Sequence, residues 1–369
     1  MLNTRKKAYL LLENGTIFEG KSFGVEGRTV GEVVFATGMT GYQETLTDAS
    51  YYGQIVTQTF PLIGNYGTNH EDFESKKSWV KGYIVREYCE APSNFRKEDT
   101  IDSFLKEQNV IGLYDIDTRS LTRIIRESGV MNGMITTEDP SPNKEELLKE
   151  IRDYHIKDAV ESVSTQKEAY FPAENGRYEV ALLDFGYKQN ILRCLLQRGC
   201  NVHVLPAFTA PERIKKLAVD GIMLSNGPGD PAENKEIIEN LRKLMEYKIP
   251  TFGICLGHQL LALANGAKTE KLKYGHRGAN QPVIDIERDR TYVTSQNHGY
   301  AVVSDSIDPE IGQVSHKNAN DGTCEGVRYH NAPAFTVQFH PEACGGPKDT
   351  SYLFDEFVEL MDGGMKECR

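Results

Sequence analysis

Long apolar runs are missing from this 369-residue sequence: nowhere do about 18 apolar residues follow one another, which excludes a membrane-spanning helix. Near the N-terminus Arg5, Lys6 and Lys7 precede only Ala8–Leu12 before Glu13 interrupts. A secretory h-region needs ~7–15 apolar residues, so no signal peptide and no membrane partner are expected, and a cytoplasmic location is. Basic runs longer than a few residues are missing too. The 42 Lys and Arg stand against 53 Asp and Glu, a net charge of −11. A phosphate backbone would be repelled, so no nucleic-acid partner is expected. The seven cysteines (Cys89, Cys194, Cys200, Cys255, Cys324, Cys344, Cys368) form no C-x-x-C pair. Neither a disulfide framework nor a zinc knuckle is indicated, and most should be small buried hydrophobes. H-E-x-x-H and related ligand spacings do not occur, so no metal site is expected.

What is present divides the chain in two, as a prior of ~150 residues per domain suggests. Ala8–Glu13 and Thr16–Phe23 read as strands flanking the turn dipeptide Asn14-Gly15. Glu32–Ala36, Gln54–Thr59, Val80–Glu87 and Val130–Thr136 read as further strands. Helices are expected over Thr118–Ser128, between Asp117 and Gly129, and over Pro142–Tyr154. These make a smaller mixed α/β domain over residues 1–156. Across 157–177 the apolar periodicity fades, and a linker is expected there. From 178 to 369 strands (Glu179–Leu183, Asn201–Leu205, Gly221–Leu224, Pro250–Ile254) alternate with helices (Lys188–Arg198, Ala232–Tyr247, Gly257–Asn265). That alternation predicts βαβ units and an open, mostly parallel α/β sheet. In such sheets the chemistry gathers beyond the strand carboxyl ends.

Gly15-Thr-Ile-Phe-Glu-Gly20-Lys21-Ser22 has the letters of a phosphate-binding loop. The mechanism needs a glycine-rich loop running straight into a helix, whereas this stretch alternates like a strand and follows a hairpin turn. The hairpin reading prevails. Thr251-Phe-Gly253-Ile-Cys255-Leu256-Gly257-His258-Gln259 is the strongest local signal: a buried strand, a sharp turn carrying a nucleophile, then a helix. There the helix N-terminus favours thiolate over thiol, and the Leu256 N–H can donate to an oxyanion. A buried structural cysteine is the bland alternative, which the two flanking glycines disfavour.

A base candidate follows in Ala334-Phe-Thr-Val-Gln-Phe-His340-Pro-Glu342. His340 ends an apolar strand and should emerge on the same rim as Cys255. Glu342 is close enough to hold the imidazole in one tautomer. His258 and His298 compete as bases. Two more loops should face that rim: Ser225-Asn-Gly227-Pro-Gly229-Asp-Pro231, whose glycine amides can meet an anion, and Ser295-Gln-Asn297-His-Gly299-Tyr300, whose amide groups suit an α-amino acid.

Together, S-N-G-P-G-D-P, F-G-I-C-L-G-H-Q, Q-N-H-G-Y and Q-F-H-P-E resemble the class I, triad-type glutamine amidotransferases. The N-terminal stretches Val30–Phe35, Met39–Tyr51 and Pro61–Gly67, with Asp117-Thr-Arg119, resemble the small chain of glutamine-dependent carbamoyl-phosphate synthetase. The resemblance covers essentially the whole chain. It implies Cys255 as nucleophile, His340 as base and Glu342 as its orienter. It also implies L-glutamine held by Ser50, Gly227, Gly229, Leu256, Gln259, Asn297, Gly299 and Tyr300. The last is often Phe in this family; only its backbone is expected to matter. Ammonia would pass to a large synthetase chain, as a heterodimer or a higher assembly of it. ATP and magnesium are expected on that partner, with no cofactor on this chain, and the product would feed arginine and pyrimidine biosynthesis. The rivals are a glutaminase subunit of the anthranilate, GMP or CTP type, a P-loop ATPase, and a non-catalytic module of the same fold.

Overall fold

The computed structural model describes residues 5–363, so Cys368 lies outside the described residues. Two compact units divide the chain, Met1–Ala159 and Val160–Arg369.

The first unit runs β1 (Lys7–Leu12), β2 (Ile17–Gly24), β3 (Arg28–Ala36), α1 (Tyr42–Thr47), β4 (Gln54–Gln58), β5 (Leu62–Ile63), β6 (Gly82–Ile84), β7 (Glu87–Tyr88), α2 (Ile101–Glu107), β8 (Ile111–Tyr114), α3 (Thr118–Ser128), β9 (Met131–Thr136) and α4 (Lys144–Arg152). Seven strands close into a barrel, in the order β1-β2-β8-β6-β4-β3-β9, while β5 and β7 pair separately. Gly15 turns the β1–β2 hairpin at φ +86°, a left-handed value that costs glycine nothing. Gly15–Ser22 thus passes from turn into strand, without the helix a phosphate loop requires. Closure comes from β1 meeting β9 antiparallel, from Tyr9↔Thr136 to Leu12↔Gly133. The strand expected over Val80–Glu87 is two short pieces, β6 in the barrel and β7 in the separate pair. Asp117 caps α3, its Oδ1 accepting the Ser120 N–H at 2.9 Å, and Gly129 follows the helix at φ +95°. Leu121 and Ile125, four residues apart on α3, pack with Leu10, Val33, Ile55 and Leu113 of the barrel strands.

The second unit continues with α5 (Ala159–Val163), β10 (Ala169–Phe171), β11 (Tyr178–Asp184), α6 (Gln189–Gln197), β12 (Cys200–Pro206), α7 (Pro211–Leu217), β13 (Gly221–Leu224), α8 (Lys235–Glu246), β14 (Thr251–Ile254) and α9 (Leu256–Ala264). Then come β15 (Thr269–Asp285), β16 (Arg290–Val302), β17 (Gly312–Asn318), β18 (Cys324–Tyr329), β19 (Ala334–Val337) and α10 (Tyr352–Met361). Residues 157–177 therefore carry α5 and β10, and β10 pairs antiparallel with β12. Ten strands form one sheet, β10-β12-β11-β13-β14-β19-β18-β17-β15-β16. The inner five, β12 to β19, run parallel; β18, β17, β15 and β16 extend them antiparallel.

Successive strand residues face opposite sides, and both sides are covered. Ala181 and Leu183 pack with Ile214, Ile237 and Leu260 of α7, α8 and α9. Val180 and Leu182 pack with Ile191 of α6 and Phe354 of α10. The chain leaves β11 first for β12 on one side and then for β13 on the other. The loops after β11 and β13 therefore flank a topological switch point, where an open α/β sheet leaves a crevice. Among the described residues no helix is long and apolar enough to cross a membrane.

Candidate active site

The sharp turn after β14 is built from close backbone approach. A Cβ on Gly257 would stand 2.5 Å from the Leu224 carbonyl oxygen, and one on Gly253 would stand 2.8 Å from Thr336 Cγ2. Only glycine lets α9 sit this tightly on β13, and β14 on β19. Between them Cys255 has φ +53° and ψ −103°, a backbone an L-residue adopts at a cost of ~1–3 kcal/mol and which marks strained functional turns. Its N–H donates to Val337 O at 2.8 Å, its Sγ lies 3.6 Å from Asn297 O, and it is 2% exposed. Leu256 opens α9, so its N–H is among the donors a helix leaves unpaired.

Parallel pairing of β14 with β19, Ile254 opposite Val337, puts the ends of both strands on one rim. His340 follows β19 and is anchored through its N–H to Ser295 O at 2.9 Å. Its Nδ1 lies 2.7 Å from Glu342 Oε1, and both side chains are about 1% exposed. With the carboxylate accepting at Nδ1, Nε2 is the nitrogen left for the sulfur; it is buried and has no hydrogen-bond partner among the described residues. Burial, and then the Lys188 ammonium, disfavour a charged His340. The Glu342 carboxylate and the Cys255 sulfur outweigh them and raise the imidazole to about 9. Burial alone would push the Glu342 carboxyl up; His340 and Lys188 instead hold it low.

Lys188 was not among the residues singled out from sequence. Its Nζ lies 3.2 Å from His340 Nδ1 and 3.4 Å from Glu342 Oε1, with the side chain 11% exposed. The available signal was positional: Lys188 follows β11, beyond the carboxyl end of a parallel strand. Asn190 Nδ2 also donates to the Glu342 carbonyl.

The loop after β13 is tied to the loop after β11. Phe185 N–H donates to Ser225 Oγ at 2.9 Å, Lys188 N–H to Asn226 Oδ1 at 3.2 Å, and Asn226 Nδ2 to Gly186 O at 3.1 Å. This fixes Gly227 and leads into Gly229, which turns at φ +87°. Across the rim, Gln259 Nε2 donates to Tyr300 O at 2.7 Å and to Gln338 Oε1 at 2.8 Å. His298 Nδ1 donates to the same Tyr300 carbonyl at 2.7 Å. Gln259 and His298 thus set the backbone of Asn297–Tyr300. Ser50 belongs to the first unit, where its N–H donates to Asp48 Oδ1 at 2.9 Å.

The two competing bases are spoken for. His258 is fully buried beside Thr336 Oγ1 at 2.8 Å, and burial lowers it to about 3. His298 is likewise lowered far by burial. Donor atoms of His276, His298 and Glu325 come within 4.8 Å of one another, a spacing a metal ion could use. Burial opposes charge on His276, but Glu325 and Asp321 raise it. His298 already uses Nδ1 on Tyr300 O and Nε2 on Gln296 Oε1, and Glu325 already accepts from Gln296 and Asn318 at 3.0 Å.

Residues 10–135 match the family described as carbamoyl-phosphate synthase small chain, CPSase domain. Residues 181–360 match class-I glutamine amidotransferases. A carbamoyl phosphate synthase small chain from Clostridium perfringens is 51% identical, covering 96% of this chain and 99% of the relative. One from Listeria monocytogenes is 52% identical, covering 97% of each. One from Fusobacterium nucleatum is 51% identical, covering 97% of this chain and 99% of the relative. A cysteine on a strained strand–helix turn, a histidine just past the end of the neighbouring strand, and relatives matched over nearly their whole length all agree: the chain belongs to the carbamoyl-phosphate synthase small chain family.

Proposed function

We propose that this chain is the glutaminase subunit of carbamoyl-phosphate synthase, with Cys255, His340 and Glu342 as its triad. The observation that carries the reading is the raised His340, paired to Glu342 at 2.7 Å with its Nε2 left unpaired on the rim that carries a cysteine in a strained elbow. At neutral pH the imidazole is protonated and has a proton to give at Nε2.

The thiolate attacks the side-chain carboxamide carbon of L-glutamine. The Leu256 N–H and the Gly229 N–H are the donors for the oxyanion. His340 passes its Nε2 proton to the departing nitrogen, and the C–N bond breaks to give ammonia and a γ-glutamyl thioester. The now neutral imidazole takes a proton from water as its oxygen attacks the thioester. The C–S bond breaks, glutamate leaves, and the thiolate–imidazolium pair returns. Glutamine's α-amino and carboxylate groups fall to Asn297, Gly299 and the Tyr300 backbone, which Gln259 steadies, with Gly227 on the opposite loop. Ser50 is assigned a glutamine contact on the family resemblance.

Nothing in this mechanism needs ATP or magnesium, which we assign with bicarbonate to a large synthetase chain in a cytoplasmic heterodimer or higher assembly. Incubating the purified chain with glutamine, ATP, magnesium and bicarbonate should yield glutamate without carbamoyl phosphate. Adding the large chain should yield both. Carbamoyl phosphate from this chain alone would refute the subunit reading, and absent glutamate with the partner present would refute the glutaminase one.

A further inference from the structure

The first unit has a cavity of about 550 Å³ whose wall is basic. Arg119, Arg123 and Arg126 line it from α3, at spacings of four and three residues that place them on one helix face. Arg86, between β6 and β7, lines it from the opposite element, and Thr118 and Thr122 lie among the guanidiniums. All four arginines are exposed. Among the described residues Arg86, Arg119 and Arg126 have no ion pair; Arg123 has only a loose one, 3.8 Å to Glu127. Acids near the start of α3 are engaged elsewhere: Asp117 caps the helix, and Asp115 pairs with Lys21 at 2.8 Å. On a chain of net charge −11, four convergent guanidiniums are a local reversal of sign that draws anions.

Three features narrow the occupant. The lining holds no thiol, carboxyl or imidazole, so its threonine hydroxyls have no base to activate them and the pocket recognises rather than reacts. It also holds no aromatic ring to stack a nucleobase and no carboxylate to share a magnesium ion, which disfavours a nucleotide. The unit is also the one that matches the synthase-specific family rather than the amidotransferase class.

We propose that this arginine pocket docks the large synthetase chain, receiving a carboxylate-bearing segment of it through bidentate guanidinium contacts. The proposal rests on the synthase reading above. The test is the triple variant Arg119→Glu/Arg123→Glu/Arg126→Glu, titrated against the purified large chain by sedimentation at low and high salt. Placing like charges against each other should weaken association by at least about 30-fold, and most of the parent's salt dependence should vanish. Glutamine hydrolysis and thermal unfolding of the chain alone should match the parent, showing that the variant folds. A triple lysine variant should retain part of the affinity, as charge without the fork. Unchanged association in the glutamate variant would overturn the proposal. So would micromolar binding of pyrophosphate to the parent that the variant loses while association persists; the pocket would then serve a small anion. A parent that binds the large chain but hydrolyses no glutamine would instead defeat the glutaminase reading and leave this one standing.

Discussion

Lys188 holds its ammonium 3.2 Å from His340 Nδ1, the very nitrogen that donates to Glu342. Two charged groups of opposite sign thus bear on one imidazole from the same side. Glu342 raises it and Lys188 lowers it. Acylation needs the imidazolium, so kcat/KM for glutamine should fall as pH rises through about 9. Lys188→Met should move that limb to higher pH and Glu342→Gln to lower pH, each with roughly a tenfold loss of kcat. A pH–rate profile of the three proteins checks this. Shifts in the same direction would disprove the opposed-charge account.

Cys255→Ser should abolish glutaminase activity, because a hydroxyl has no anionic form near neutral pH. Synthesis from supplied ammonia by the complex with the large chain should survive. Glutamate release by the serine variant would show that another group is the nucleophile.

His340→Asn should cost ~10²–10⁴-fold in kcat through lost proton transfer. His258→Asn should leave the pH profile unchanged, since burial already keeps that ring neutral down to about pH 3. Its effect should appear in thermal stability, through the contact with Thr336. A larger catalytic loss from His258→Asn than from His340→Asn would reverse the assignment.

Gly257→Ala should lower thermal stability, because the new Cβ meets backbone, the Leu224 carbonyl at 2.5 Å, and not a movable side chain. Overpacking of this kind costs ~1–3 kcal/mol. For a unit of this size that is a fall in Tm of roughly 2–12 °C, readable by calorimetry. An unchanged Tm would mean that α9 can slide away from β13.

Much of this was legible in the sequence because its signals are local. Asn14-Gly15 announces its hairpin, Asp117 and Gly129 bracket α3, and glycines either side of Cys255 spell out the elbow. Closure of the barrel was not legible, since β1 meets β9 more than a hundred residues away and no pattern in either strand names its partner. The antiparallel β15–β18 extension was missed as well. Register shifts between Lys271 and His276, and between Gly278 and Gln281, break the period-two alternation by which a strand is recognised. Lys188 carries no motif of its own; its importance follows only from β11 ending on the rim that holds His340.

The burial of Cys255, His340 and Glu342 bears on what kind of nitrogen this chain can deliver. Ammonia loosed into neutral water is almost all converted to ammonium, which has no lone pair with which to attack an activated carboxyl. Phe339, fully buried and next in sequence to His340, packs in the apolar cluster that also holds Cys255. Opening it by Phe339→Ala should raise the glutamate formed per carbamoyl phosphate in the complex, and a ratio unmoved from the parent's would dismiss the idea. Where bulk water is held off and only the hydrolytic molecule reaches the thioester, the nitrogen is born as a nucleophile and stays one.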